Sequence, residues 1–249
     1  MPEKKHHFFI SYSRTDAKIV NNLLNDIQVT GIKAWVGHSE LQIGTLDWEN
    51  SIRDAVLSSM GLIYCATPDA RTSPYVRGEL QFAYDNNVPI LPVWLKGEKY
   101  SDCFPIGYTC IQNIDLRKEN YEEQLPYLIS QLIELIYNNI DTQLRDEEIF
   151  VWKGNLEFAL ETIKIRYQSQ STISGELFSS EFIDNFLKVR PLVIDNYQNR
   201  TIALLKYLQE FQIIELDEVM KIISLKERTL STIKLTKLGE TILEHRNRI

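Results

Sequence analysis

The stretch GLIYCATPDARTSPYVRGELQFAYDNN, residues 61–87, joins a short apolar run to an amphipathic one through a segment of turn formers. GLIYCAT is apolar, short and bounded by turn signals, as a buried strand requires. PDARTS follows as a loop, and Ser73 with Pro74 reads as the N-cap and first residue of a helix. On a wheel turning about 100° per residue, Val76, Leu80, Ala83 and Tyr84 form one apolar sector, which Tyr75 and Phe82 extend. Arg77 and Gln81 point away from it, but Glu79 falls inside. Burying an unpaired carboxylate is strongly unfavourable, so a helix that aims one inward directs it at a partner or a cleft.

The same alternation extends to either side. HFFISY reads as a first strand, followed by a helix from about Asp16 to Val29. GIKAWV is a second strand, then comes a loop, HSELQIGTL, and a helix, WENSIRDAVLSS. VPILPVWL and TCIQNIDL supply a fourth and a fifth strand, and YEEQLPYLISQLIELIYNNI a closing helix. Strands separated by helices imply a parallel sheet covered on both faces, an α/β doubly wound domain. Ligands bind such sheets at the carboxyl ends of the strands. The segments to search are therefore SRTD, GHSELQIG and PDARTSPY.

Beyond the charged stretch DTQLRDEE the pattern changes. Helix candidates run through LEFALETIKIRY, SEFIDNFLKV and RTIALLKYLQEF. Strand-like IIELD, VMKIISL and LSTIKL follow, with KERT as the turn between the last two, and LTKLGETILEHR closes the chain. Three helices, a hairpin and a final helix are the order of a winged-helix module, a helix-turn-helix variant. The organisation expected is an α/β domain over residues 1–140, a linker over 141–154 and a smaller, mostly helical winged-helix-like domain over 155–249.

A formal charge of −7 over 249 residues argues against a chain that coats nucleic acid along its whole length. The charge is uneven: residues 1–149 carry 13 Lys/Arg against 21 Asp/Glu, residues 150–249 carry 14 against 13. Such asymmetry suits two units with different partners, or a solvated basic surface. None of the three cysteines has the spacing of a metal pair, and Cys65, inside GLIYCAT, reads as a small core residue. The N-terminal residues lack a signal-peptide apolar stretch, and no run approaches the roughly 20 apolar residues of a membrane span. A reducing, cytoplasmic setting without membrane contact is expected.

Five segments in order carry a family resemblance: FFISYSRTD (8–16), GIKAW (31–35), LQIGTLDWENSI (41–52), LIYCAT (62–67) and SPYVRGEL (73–80). Over residues 6–139 the chain resembles a Toll/interleukin-1 receptor (TIR) domain, particularly the bacterial type. The resemblance implies a flavodoxin-like five-stranded parallel sheet and a loop after the second strand that governs self-association, here His38, Ser39, Glu40 and Gly44. It also implies an NAD⁺ glycohydrolase, activated by assembly and acting in anti-phage defence; the alternatives are a non-catalytic TIR adaptor or a DNA-binding regulator acting through the C-terminal module. The family's motif is a serine, an aromatic two residues on, and a catalytic glutamate four after that. Ser73, Tyr75 and Glu79 fit, with tyrosine where tryptophan is frequent.

A single carboxylate suits that chemistry. Glycosidases generally pair two carboxylates, one of which protonates a poor leaving group. Nicotinamide leaves NAD⁺ as a neutral molecule, so no general acid is required. What remains is stabilising an oxocarbenium-like ribose. Capture by water would give ADP-ribose and capture by the adenine a cyclic product; Glu79 does not decide between them. NAD⁺ is the substrate, and no cofactor or metal is called for.

The remaining candidates are weaker. Ser13 and Arg14 follow the first strand close to a helix N-terminus, where backbone N–H groups and a guanidinium suit a pyrophosphate, or Arg14 is a surface cation. Tyr12 either lines the nicotinamide pocket or belongs to the core. Trp48 shares a helix face with Ile52 and Val56, the spacing of core packing, and is a candidate substrate contact. Trp35 reads as core, Gly44 as a loop former, Asp16 equally as a helix cap. Gly37 stands where many relatives carry an aspartate beside the ribose; Glu40 or His38 are candidate substitutes. His6 and His7, ahead of the apolar run, read as exposed. The C-terminal module would bind an activating ligand or a protein, or assemble protomers. DNA is a less favoured partner, through Lys221, Lys226, Arg228, Lys234 and Lys237, since RTIALLKYLQEF offers few base-reading side chains.

Overall fold

β1 (His7–Ser11) and β3 (Ser59–Ala66) form the middle of a five-stranded sheet. The computed structural model describes residues 7–36, 46–105, 108, 112–146, 160–161, 208–216 and 233–246. The sheet order is β2-β1-β3-β4-β5, with β2 at Ala34–Val36, β4 at Ile90–Trp94 and β5 at Ile114–Asp115, and all pairings are parallel. This is the flavodoxin-like doubly wound order, whose winding reverses between β1 and β3. All eight residues of β3 are buried, as a central strand covered on both faces demands.

Strand alternation divides the core. Phe9 on β1 and Leu62, Tyr64 and Ala66 on β3 share one face. They pack with Ile52 and Val56 of α2 (Leu46–Leu57), Ala70 of α3 (Pro68–Thr72), and Val76, Leu80 and Ala83 of α4 (Pro74–Asp85). Phe9, Leu62 and Tyr64 have no accessible surface, and each such side chain contributes about 2–3 kcal/mol of burial. The opposite face is covered by α5 (Tyr121–Asp146), whose Leu135 reaches the backbone at Gly61. The Tyr121 hydroxyl donates to Asp26 of α1 (Ala17–Val29) at 2.5 Å, joining two helices.

Local chemistry explains where elements depart from expectation. PDARTS is not a loop throughout: Thr67 accepts a hydrogen bond from Ala70 N–H and Pro68 occupies the first turn, so α3 forms. A five-residue helix is too short to show periodicity. Ser73 then caps α4 from Val76 N–H at 3.4 Å, with Pro74 in its first turn. α4 ends at Asp85, and Asn87, just past its C-cap Asn86, takes the left-handed φ of 55° that stops a helix. Tyr84, placed in the apolar sector by the wheel, is 60% exposed and packs edge-on against Tyr108 at 5.3 Å. β3 begins at Ser59, inside the segment expected to be helical, because the Ser59 hydroxyl caps Val56 C=O and releases the chain into the sheet. α5 continues to Asp146, six residues into the expected linker, since DTQLRD contains no helix breaker.

The chain divides into two compact units, 1–136 and 137–249. In the second, β6 (Ile214–Leu216) pairs antiparallel with β7 (Ile233–Leu235), and α6 (Lys237–Arg246) follows. Thr236 ties the start of α6 down, accepting from Gly239 N–H at 3.1 Å and donating to Gln212 C=O at 2.6 Å. VMKIISL, the KERT turn and SEFIDNFLKV lie outside the described residues, and the winged-helix expectation with them.

Candidate active site

Ser11 ends β1 on the same face as Phe9, two residues on, and so points toward α4 rather than α1. There its hydroxyl donates to Glu79 Oε2 at 2.6 Å. Glu79 is 7% exposed, and among the described residues no Lys or Arg forms a salt bridge with it. Burial pushes its carboxyl from the ordinary 4.5 up to about 7, against the opposing pull of the Ser11 hydrogen bond. A buried carboxyl that changes charge near neutrality, with one hydrogen-bond donor, is suited to responding to a cation brought beside it.

The carboxylate lies on the wall of a cleft of about 280 Å³ between α2 and α4. α4 supplies Pro74, Tyr75, Gly78, Glu79 and Phe82, and α2 supplies Glu49, Ile52 and Arg53. The Arg53 guanidinium sits 5.0 Å from the centre of the Phe82 ring and donates to Glu49 Oε1 at 2.8 and 3.1 Å. Among the described residues the result is a groove with an apolar floor, the inward carboxylate of Glu79 and the exposed Arg53–Glu49 pair on the rim.

Of the residues the sequence singles out, Glu79 and Tyr75 line this cleft; Tyr75 stands at its edge, 58% exposed. Ser73 serves α4 as its cap. Tyr12, one residue beyond Ser11, is 8% exposed, and burial first, then Cys65 and Glu79, push its hydroxyl pKa up while Arg14 opposes them. Arg14 begins a 3-10 turn, Arg14–Asp16, and Ser13 precedes it; both lie outside the cleft lining, and the Ser13 hydroxyl bonds Thr15 Oγ1 at 2.9 Å. The Trp48 side chain, Gly37, His38, Ser39, Glu40 and Gly44 lie outside the described residues.

Asp16 makes no side-chain cap for α1. Its carboxylate is buried, accepts from the Thr67 hydroxyl at 2.6 Å and lies 3.5 Å from Lys96 Nζ, which also reaches Asp69 at 3.0 Å. This strut joins the carboxyl ends of β1, β3 and β4. His7 is half-buried, with Nε2 3.0 Å from Ala55 C=O, and is not the exposed residue expected: it belongs to β1, under α2. Trp35 packs on Phe9 at 5.3 Å and Cys65 is fully buried, both as core residues. Among the described residues no cluster could hold a metal ion, and no helix is long and apolar enough to cross a membrane.

Ser11, Glu49, Arg53 and Gly78 were not singled out from sequence. Ser11 carried a signal, a small polar residue ending a strand on the face of Phe9. The α2 residues carried none, because only tertiary packing sets α2 opposite α4.

A doubly wound parallel sheet in the order β2-β1-β3-β4-β5 defines the class, a flavodoxin-like domain. Residues 8–129 match the family described as TIR domain, and the first unit of this chain is a TIR domain. No curated protein matches the chain. Among solved structures it is similar to the TIR domain of the Toll-related receptor TRR-2 from Hydra magnipapillata, at 21% identity and a TM-score of 0.43, over 50% of this chain and 96% of that one. It is also similar to a metazoan TIR-STING receptor from C. gigas in complex with 2′,3′-cGAMP, at 24% identity and 0.43, over 53% of this chain and 40% of the receptor. A third similarity is to the TIR domains of the activated Roq1 resistosome recognizing the effector XopQ, at 16% identity and 0.39, over 52% and 98%.

Proposed function

We propose that the TIR unit cleaves the nicotinamide–ribose bond of NAD⁺, with Glu79 as the catalytic residue and Ser11 as the residue that positions it. The observation that carries this reading is a carboxylate held 93% out of solvent, without a cationic partner among the described residues, on the wall of an open cleft. A purely structural helix would place an apolar side chain there. The motif of Ser73, Tyr75 and Glu79 supports the same assignment.

The chemistry follows from charge. The pyridinium end of NAD⁺ brings a positive charge beside Glu79 and draws its carboxyl to the ionised form. As the C1′–N1 bond breaks, both electrons go to nicotinamide nitrogen, which leaves neutral, and positive charge develops on the ribose. Glu79, oriented by the Ser11 hydroxyl, stabilises that charge. Water oxygen then bonds to C1′ and releases a proton, which leaves ADP-ribose; capture by the adenine would yield a cyclic product instead. Arg53 on the rim would receive the pyrophosphate, a role supported by its exposed pairing with Glu49, which holds it only weakly.

The second unit, with its near-neutral charge balance, would bind the activating ligand or protein, or assemble protomers. Nicotinamide release from NAD⁺, assayed with full-length protein at concentrations that drive assembly, tests the proposal, with Glu79→Ala as the control. Release that survives Glu79→Ala removes the residue from its role. Silence under all assembling conditions favours a non-catalytic TIR adaptor.

A further inference from the structure

Glycine inside a helix needs a reason, because apart from proline it is the least favourable residue there. The usual reasons are a positive φ or a neighbouring segment approaching too closely for a side chain. Neither applies to Gly78. The positive-φ glycines among the described residues are Gly31 and Gly97. Among those residues, moreover, and apart from its chain neighbours and the backbone of its own helix, no atom lies within 4 Å of the point a Gly78 Cβ would occupy. The same construction at Gly239 runs into Ile213 C=O at 2.4 Å, and at Gly61 it meets Leu91 and Pro89 at 3.2 Å.

What Gly78 does border is the cleft. Tyr75 lies three residues before it and Phe82 four after, spacings that place all three on one helix face. Both aromatics line the cleft, and Arg53 lies 5.0 Å from the Phe82 ring. Gly78 is thus bare helix backbone between two aromatic side chains, adjacent in sequence to Glu79.

We infer that Gly78 determines substrate fit: the bare patch between Tyr75 and Phe82 seats the flat pyridinium–ribose end of a pyridine nucleotide. The inference rests on the NAD⁺-cleavage reading and assigns the ring to one part of the cleft. A planar cation suits the Tyr75 side of the place, because aromatic faces attract positive charge and the Phe82 ring already meets the Arg53 guanidinium at 5.0 Å. Alanine at this position improves the helix and obstructs the ligand, so stability and ligand binding move in opposite directions.

The test compares full-length wild type with Gly78→Ala and Gly78→Leu, leucine being a good helix former. Without ligand, the alanine variant melts about 2–4 °C higher. The KM for NAD⁺ and the inhibition constant of nicotinamide each rise tenfold or more in Gly78→Ala, and further in Gly78→Leu. A lower melting temperature in Gly78→Ala overturns the inference, because protein atoms then occupy the space. An unchanged KM and unchanged nicotinamide inhibition overturn it as well. Wild type that releases no nicotinamide refutes the cleavage reading, and ligand-observed NMR of nicotinamide binding then decides this one. Binding at least tenfold weaker in Gly78→Ala supports it; equal binding, or none to wild type, overturns it.

Discussion

Replacing Glu79 with glutamine should make the protein more stable while it abolishes nicotinamide release. Glutamine keeps the shape of the side chain, and its carbonyl oxygen still accepts from the Ser11 hydroxyl, so the change removes little besides the charge. Burial raises the Glu79 carboxyl from 4.5 to about 7. A carboxyl raised in this direction binds its proton more tightly in the folded state. Its contribution to stability is therefore complete below about pH 4.5 and is lost as pH rises through 7. At 1.36 kcal/mol per pH unit, the ionised carboxylate costs on the order of 3 kcal/mol above pH 8. At pH 5 Glu79→Gln should be more stable than wild type by less than about 1 kcal/mol. At pH 8.5 the variant should be more stable by about 3 kcal/mol, or about 6–12 °C in melting temperature. Thermal and urea unfolding at pH 5, 7 and 8.5 measure the difference. A gap that does not widen with pH refutes the reasoning, since it would mean the carboxylate is not held in a desolvated place.

Ser11→Ala removes the one group among the described residues that favours the ionised form of Glu79. The limb of the pH–rate profile that rises through about pH 7 should therefore move to higher pH, and a profile that stays put would separate Ser11 from catalysis. Arg53→Ala breaks an exposed pair worth less than about 1 kcal/mol, so melting is expected to be unchanged. The KM for NAD⁺ should rise about tenfold, while that for nicotinamide riboside, which lacks the pyrophosphate, stays constant; equal effects on both would exclude a phosphate contact. In the second unit, Gly239→Ala drives a methyl group into Ile213 C=O. It should destabilise that unit by about 1–3 kcal/mol, opposite in sign to the same substitution at Gly78, and calorimetry of the two variants makes the comparison.

What could be read from the chain was local or periodic. The strands of GLIYCAT and HFFISY announce themselves by apolar content, and their alternation with helices dictates a parallel sheet. Ser73 and Pro74 mark the start of α4 because capping needs only neighbouring residues. The inward direction of Glu79 follows from helix geometry, and its burial agrees. The wheel misplaced Tyr84 because it knows direction only, and the apolar packing reaches Ala83 but leaves Tyr84 outside.

Sequence alone therefore determined the layer architecture, the helix that bears Glu79 and the improbability of leaving a carboxylate there without a purpose. Tertiary structure decided what that carboxylate meets. Ser11, 68 residues away, becomes its donor because β1 lies in the middle of the sheet beneath α4. Thr67 and Lys96 converge on Asp16 because parallel pairing brings three strand ends together. Arg53 and Gly78 face one cleft because α2 and α4 share a side of the sheet without closing on each other. Periodicity acts over a few residues and specifies which way a side chain points. Its partner is set by the register and packing of segments far apart in the chain, which no local pattern encodes.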